Sequence, residues 1–185
     1  MVMQRLKSRW VPVALMLLCL CGSAFAALDI GDAAPKFTTQ AAFDGKVFNY
    51  SLANALAKGP VVLYFFPAAF SVDCSIEAHA FAEAMDKFAA LGATVIGVSG
   101  DDITTLSKFS QQACQSKFPV ASDASQSIMK SFDAVMQTRP DYANRISYLI
   151  TPDDKVASFY LSLNPNSHVQ RMLDALRALP VVSKP

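Results

Sequence analysis

The chain of 185 residues lacks several features that mark common functional classes. It has no cluster of lysines and arginines and a formal net charge of only +1, so it lacks the basic surface that binds nucleic acid or an anionic membrane. It also lacks internal repeats, low-complexity tracts and interdomain linkers. Neither Cys-x-x-Cys nor Cys-x3-Cys begins at Cys74, because Glu77 and Ala78 stand where the second cysteine would be. These absences argue against a protein that exchanges disulfides through a dithiol and against one that delivers copper.

The first 26 residues have the pattern of an export signal. Three basic residues and no acidic one come first, followed by a mostly apolar run over residues 10–21 and by Ala24-Phe25-Ala26, which is typical of a cleavage site. The apolar run is shorter than the roughly 20 residues that cross a bilayer. An uncleaved anchor, or a lipid attached at Cys19 or Cys21, is the alternative. We therefore predict a signal peptide at residues 1–26 and export, with the bacterial periplasm as the expected destination.

Residues 27–185 then form the mature protein, which is long enough for one domain that buries its own core. The small net negative charge of this part favours small, weakly charged or neutral substrates. We expect a monomer or a weak dimer with no stable membrane association after cleavage. Two cysteines remain, Cys74 and Cys114, and in an oxidising compartment such a pair can form a structural disulfide.

Segments with strand-like and helix-like periodicity alternate along the mature chain. Residues 61–66 are almost wholly apolar, which is typical of a strand buried on both faces. Asp44-Gly45 indicates a hairpin, and the turn at residues 152–154 indicates an antiparallel pair. Strands are predicted at 37–39 (a short edge strand), 47–50, 61–66, 93–99, from 119, 146–151 and 156–161, and helices at 51–57, 74–91, 103–115 (after an Asp101-Asp102 cap), 125–132 and 168–179. This order predicts an α/β fold with a central mixed β-sheet covered by helices on both faces.

Cys74 lies where the predicted helix follows the buried strand. The unpaired N–H groups in the first turn of a helix carry partial positive charge and favour a thiolate over a thiol. An inert core cysteine is the alternative, but it would have apolar neighbours. The neighbours of Cys74 in the sequence are instead polar: Ser71, Asp73, Ser75 and Glu77.

This segment resembles the active site of a known family. Pro67-x3-Ser71-x2-Cys74 resembles the peroxiredoxin signature Pro-x3-Thr/Ser-x2-Cys. The continuation Cys74-Ser75-x-Glu77-Ala78 is similar to the branch that contains the bacterioferritin comigratory protein and peroxiredoxin Q.

Three further segments carry the resemblance through most of the mature chain. Residues 63–67 resemble the family's strand before the site, and residues 117–123 resemble its segment before the third helix. Arg145-Ile-Ser147-Tyr-Leu-Ile150 resembles the segment that carries the active-site arginine. The resemblance implies a thioredoxin-like (peroxiredoxin) fold and a thiol-dependent peroxidase.

The resemblance also implies roles for individual residues. Cys74 would be the nucleophile that attacks the peroxide and becomes a sulfenic acid. Arg145 would stabilise the thiolate and orient the peroxide through its N–H donors, unless it forms an ordinary surface ion pair. Cleavage of an O–O bond by a thiolate requires such a cation and such donors beside the sulfur.

Three neighbours of Cys74 would complete the site. The Ser71 hydroxyl would hydrogen-bond the peroxide, cap the helix, or do both. Pro67 would shield the pocket from water, or would only end the strand. Glu77, on the first turn of the predicted helix, would hold Arg145 by a charge-assisted bond, or would be a solvated carboxylate.

Two positions concern the second thiol. Members of this branch often carry a resolving cysteine five residues after the peroxidatic one, where this chain has His79, to which we assign no role. Relatives with the resolving thiol in the third helix make Cys114, late in the predicted helix 103–115, the candidate resolver. It would close an intramolecular disulfide with Cys74, which requires Cα atoms roughly 4.4–6.8 Å apart. The alternative is an inert Cys114 and a one-cysteine mechanism.

The resemblance implies hydrogen peroxide and organic hydroperoxides as substrates, a thioredoxin-like or other thiol reductant as partner, and no cofactor or metal. A protein of another class fits the same residues. An exported redox sensor, or a thiol–disulfide protein without peroxidase turnover, would also keep Cys74 reactive.

Overall fold

The structure is a computed structural model that describes residues 27–180. The predicted signal peptide at residues 1–26 lies outside the described residues. Within the described range, no helix combines the length and the apolar composition needed to cross a membrane.

Seven strands and six helices alternate along this range. The strands are β1 (Thr38–Phe43), β2 (Lys46–Ser51), β3 (Val61–Phe65), β4 (Thr94–Ser99), β5 (Val120–Ser122), β6 (Ile146–Ile150) and β7 (Val156–Leu161). The helices are α1 (Leu52–Leu56), α2 (Val72–Glu83), α3 (Met85–Ala90), α4 (Ile103–Gln112), α5 (Ser127–Ser131) and α6 (His168–Arg177).

The strands form one mixed sheet in the order β2-β1-β5-β4-β3-β6-β7. β3, β4 and β5 are parallel neighbours, whereas β6 runs antiparallel to β3 and β7 antiparallel to β6. The predicted hairpin is confirmed, because β1 pairs with β2 across Asp44 and Gly45, which both have positive φ. The antiparallel pair β6–β7 is also confirmed.

Helices cover both faces of the sheet, as predicted. The alternating side chains of β3 enter two separate cores, with Val62 and Tyr64 on one face and Val61, Leu63 and Phe65 on the other. The first core packs against α2, α3, α4 and α6, and the second packs against α1 and α5. The strand that precedes Cys74 is therefore buried on both sides, which makes it a rigid support for the site.

Three predicted elements differ clearly from the structure. The strand expected at the edge near residues 37–39 is six residues long and lies between β2 and β5. The helix expected at 74–91 begins earlier, at Val72, and breaks at Ala84, where the N–H bonds to Phe81 instead of continuing the helical ladder. The break turns α3 so that Phe88 is buried 5.9 Å from Phe81, measured between ring centroids. α4 ends at Gln112, so Cys114 lies just beyond the helix.

Candidate active site

Cys74 is the third residue of α2, so the predicted first-turn position is confirmed. α2 starts after Ser71, whose backbone is extended, and the first helical bond runs from the Ser75 N–H to the Ser71 carbonyl. The N–H groups before that bond have no partner within the helix. The Cys74 side chain is nevertheless buried, with 1% of its surface exposed. A thiol here is shielded from bulk water and lies in the positive field of the helix start.

The loop between β3 and α2 is held by Asp101. One oxygen of this carboxylate accepts hydrogen bonds from the Ala69 N–H at 2.7 Å and from the Ser99 hydroxyl at 2.8 Å. The sequence pattern predicts that Asp101 and Asp102 together cap α4, but only Asp102 does so, by accepting the Thr105 N–H at 2.9 Å. Asp101 instead ties the loop before Cys74 to the end of β4.

Arg145 reaches the sulfur from the residue just before β6. Its Nη2 lies 3.5 Å from Cys74 Sγ, although 71 positions separate the two residues in the sequence. The side chain is buried, so the alternative of an ordinary surface ion pair is wrong. Burial lowers the pKa of Arg145, but the neighbouring charges of Glu77 and Cys74 more than offset this and raise the pKa above its ordinary value. Arg145 is therefore a permanent cation in contact with the thiol.

Glu77 pairs with Arg145 from the other side. Its Oε2 accepts a hydrogen bond from Arg145 Nη1, and the side chain is fully buried, so it is not a solvated carboxylate. Because α2 begins at Val72, Glu77 lies on the second turn rather than the first. Burial raises the pKa of Glu77 to about 8, against the opposing effect of the Arg145 charge. Its other oxygen, Oε1, has no hydrogen-bond partner among the described residues.

Ser71 and Pro67 lie at the rim of the site. The Ser71 hydroxyl donates to the Ala68 carbonyl at 3.0 Å and makes no capping bond to α2, so the cap interpretation is wrong. Its oxygen lone pairs stay available to accept a hydrogen bond from a ligand. Pro67 is half-buried directly after β3. Its missing N–H removes one donor from the approach to Cys74.

The site contains two buried residues to which the sequence patterns assign no function. His168 opens α6, and its Nδ1 lies 2.8 Å from the Ser147 hydroxyl and 3.5 Å from Glu77 Oε1. Its Nε2 lies 3.0 Å from the Ser162 carbonyl. Ser147 is two residues after Arg145, and the period of a strand places both on one face, which is a usable signal. For His168 no local signal exists, because only the packing of α6 brings it here.

Cys114 lies in the same core as Cys74 and is also buried. Both cysteines are free thiols, so no structural disulfide links them. Burial raises the pKa of the Cys114 thiol well above its usual range, so it rests as a thiol. Tyr64 lies in the same core, and its burial raises the pKa of its hydroxyl well above the ordinary value. His79 is exposed on α2, with its Nδ1 2.8 Å from the Ser75 carbonyl, away from this cluster.

These residues form a preorganised thiolate site. A buried sulfur lies at a helix start and contacts a fixed guanidinium, whose orientation a buried carboxylate holds. Such a site stabilises negative charge on sulfur and provides N–H donors where charge develops during attack on an O–O bond. Among the described residues no group of His, Cys, Asp and Glu is arranged to hold a metal ion.

Comparison with known proteins identifies the family. Residues 30–159 match the model of the AhpC/TSA family. The chain belongs to this family of peroxiredoxins. Its relatives include peroxiredoxin Q, chloroplastic, from Populus jackii, which is 31% identical over 84% of this chain and 71% of the relative. A 2-Cys peroxiredoxin BAS1, chloroplastic, from Hordeum vulgare is 30% identical over 84% of this chain and 77% of the relative.

Solved structures agree with this family. The peroxidoxin BcpB of Mycobacterium tuberculosis superposes with a TM-score of 0.74 at 27% identity, covering 83% of this chain and 99% of that one. The predicted resemblance to the peroxiredoxin Q and bacterioferritin comigratory protein branch is confirmed, as is the thioredoxin-like fold. As a peroxiredoxin, the protein is a thiol-dependent peroxidase, an oxidoreductase of a family that uses peroxide substrates and thioredoxin-like reductants.

Proposed function

We propose that this peroxiredoxin reduces hydrogen peroxide and organic hydroperoxides through Cys74, and that Cys114 resolves the oxidised form. The observation that supports Cys74 as nucleophile is its contact with Arg145 at 3.5 Å in a buried site at the start of α2. The thiolate attacks the terminal peroxide oxygen, the O–O bond breaks, and Cys74 becomes a sulfenic acid. The alkoxide or hydroxide that leaves takes a proton from solvent.

Ser71 and Pro67 would complete the substrate pocket. The Ser71 oxygen can accept a hydrogen bond from the O–H of the peroxide, because its own proton is already donated to Ala68. Arg145 donates to the peroxide oxygens while Glu77 holds its orientation. The hydrogen bond from Arg145 to the leaving oxygen strengthens as negative charge moves from sulfur to that oxygen.

In the second step the Cys114 thiol attacks the sulfenic acid, a Cys74–Cys114 bond forms, and water leaves. A dithiol reductant of the thioredoxin kind then supplies two electrons and restores both thiols. Both cysteines are buried, so the step requires local rearrangement. Gln115 and Ser116, which follow Cys114, both have positive φ, a strain of roughly 1–3 kcal/mol for each residue. This stored strain lowers the cost of opening the chain after α4.

One experiment tests the nucleophile and the resolver together. Reduced protein is treated with one equivalent of hydrogen peroxide and mapped by mass spectrometry. We expect a Cys74–Cys114 bridge within one chain, and in Cys114→Ser a sulfenic acid at Cys74 that dimedone traps. In Cys74→Ser we expect no peroxide consumption with thioredoxin and thioredoxin reductase.

Three outcomes would contradict parts of this proposal. Full peroxidase activity of Cys74→Ser would exclude Cys74 as the nucleophile. A stable sulfenic acid in the wild-type protein, or a bridge to a second chain, would exclude Cys114 as an intramolecular resolver. A bridge that forms without multiple turnover would favour a redox sensor.

We also propose that the protein is exported and works outside the cytoplasm, where a thioredoxin-like reductant would regenerate it. The basis is the signal-like pattern of residues 1–26. N-terminal sequencing of protein from the periplasmic fraction should begin at Ala27. An intact N-terminus in the cytoplasmic fraction would contradict export.

A further inference from the structure

The buried side of Glu77 faces His168, and the two polar atoms that meet there are both acceptors. Glu77 Oε1 is buried and has no hydrogen-bond partner among the described residues. His168 Nδ1 lies 3.5 Å from it, and both side chains are shielded completely from solvent. A buried carboxylate oxygen without a hydrogen-bond donor is unfavourable, and a proton bound by Glu77 or His168 would remove this cost.

The second ring nitrogen determines which atom of His168 faces Glu77. Nε2 lies 3.0 Å from the Ser162 carbonyl, and because a carbonyl only accepts, Nε2 carries a proton. In a neutral imidazole Nδ1 is then an acceptor. The Ser147 hydroxyl, 2.8 Å from Nδ1, can donate to it or accept from it, so it fits either protonation state. Nδ1 and Oε1, which lie 3.5 Å apart, are therefore the two atoms that can take an added proton.

We propose that in the reduced enzyme Glu77 and His168 together hold one proton in addition to the one on Nε2, so that the Arg145 charge facing the Cys74 sulfur is not neutralised. With the proton, the pair is neutral and Arg145 contributes one uncompensated positive charge beside the thiolate. Without it, the Glu77 carboxylate cancels that charge. His168 is thus a positioning residue that acts on the sulfur through Glu77 and Arg145. This inference rests on the proposed role of Cys74 as nucleophile.

Other ionisable and charged groups around the pair do not replace this proton. α2 contributes Cys74 and also Asp73, whose charge raises the pKa of Glu77 further, after the larger effect of burial. β3 contributes the Tyr64 hydroxyl and β7 the Tyr160 ring, whose centroid lies 5.0 Å from that of His168. Two cations lie near: Arg145, bound to the opposite oxygen of Glu77, and Arg171 of α6, whose guanidinium lies over the Tyr160 ring at 5.4 Å from its centroid. None of these groups donates a hydrogen bond to Oε1.

The test measures how readily Cys74 forms a thiolate and does not use peroxide. The rate of Cys74 alkylation by iodoacetamide is followed against pH in a Cys114→Ser background, and its midpoint reports thiolate formation. In His168→Gln the amide N–H can donate a hydrogen bond to Oε1 but cannot accept a shared proton, which favours the ionised form of Glu77. We expect the midpoint to rise by about one pH unit, because one added negative charge behind Arg145 disfavours the thiolate.

A double-variant cycle separates this effect from structural damage. In Glu77→Gln the position is always neutral, so the midpoint should stay at or below the wild-type value. In that background His168→Gln should cause no further shift, because the charge it controls is gone. His79→Gln, a change of the exposed histidine on α2, is the matched control and should leave the midpoint unchanged.

Spectroscopy of the reduced protein at neutral pH locates the proton directly. We expect either the carbonyl stretch of a carboxylic acid that is lost in Glu77→Gln, or a protonated His168 ring in nitrogen NMR. Either signal supports the proposal and identifies the atom that holds the proton. Absence of both, or equal midpoint shifts by His168→Gln with Glu and with Gln at position 77, would overturn it. These readouts need no turnover, so they stay informative if Cys74 fails the peroxidase test.

Discussion

Replacing Arg145 with methionine removes the only side-chain cation within hydrogen-bond distance of the Cys74 sulfur in the described part of the chain. Methionine fills much of the arginine volume but donates no hydrogen bond. Glu77, which loses its partner, can take up a proton because burial already raises its pKa to about 8. The substitution therefore removes the positive charge at the sulfur without leaving a second charge buried and unpaired.

The expected fall in the rate of reaction with peroxide follows from the distance between Arg145 and the Cys74 sulfur. A unit charge 3.5 Å from the thiolate is worth about 4–5 kcal/mol at an effective dielectric constant of about 20. The guanidinium charge is spread over three nitrogens, of which Nη2 contacts the sulfur, so we take about half, ~2–3 kcal/mol. At 1.36 kcal/mol for each factor of ten, this predicts a second-order rate with peroxide lowered by about 30-fold to 150-fold.

The assay must suit the composition of the protein. Its single tryptophan is Trp10, within the predicted signal peptide, so tryptophan fluorescence cannot follow the mature protein. Competition with horseradish peroxidase for a limiting amount of hydrogen peroxide measures the rate instead. Arg145→Lys should fall between wild type and Arg145→Met, because an ammonium keeps the charge but lacks the planar fork that reaches both Sγ and Glu77.

Arg177→Met is the matched control, because Arg177 is exposed on α6 and, within residues 27–180, forms an ion pair only with Asp174. It should react at the wild-type rate, and circular dichroism should confirm that all three variants are folded. A rate for Arg145→Met within a factor of two of wild type would refute the role of Arg145 in thiolate stabilisation.

Two further predictions concern stability. A Cβ at Gly97 would lie 2.8 Å from Tyr64 Cζ, in a ring that is stacked and cannot move freely, so Gly97→Ala should lower the free energy of unfolding in urea by about 1–3 kcal/mol. Gly100→Ala should leave the free energy of unfolding unchanged, because its Cβ would meet no atom closer than 3.5 Å. Equal losses of stability in the two variants would contradict this prediction. The folded pKa of Glu77 is about 8 against an ordinary 4.5, so the folded state binds the extra proton and its stabilisation is lost as pH rises through this window. The free energy of unfolding should fall by up to about 1.4 kcal/mol per pH unit there, and a slope that persists in Glu77→Gln would assign it to other groups.

Local patterns predicted most of the elements because their causes are local. The apolar run at residues 61–66 forms β3 with every residue buried, and Asp44-Gly45 forms the hairpin turn. β1 was harder to predict, since its inner partner β5 lies about 80 residues further along the chain. The end of α4 was predicted too late because no glycine or proline follows it directly. The chain leaves the helix through Gln115 and Ser116, which have positive φ although their residue types do not favour it.

The active site likewise has features that the local sequence predicts and features that depend on tertiary packing. The sequence by itself determined that a cysteine opens the helix after a central strand, because strand burial and helix starts depend on neighbouring residues. Only the tertiary structure decided that Glu77 turns inward to Arg145, 68 positions away, and that His168 joins them. A carboxylate or an imidazole is common on exposed helix faces, and its own segment does not specify what it will meet. Its function here arises from burial beside a particular partner, which depends on how α2, β6 and α6 pack together.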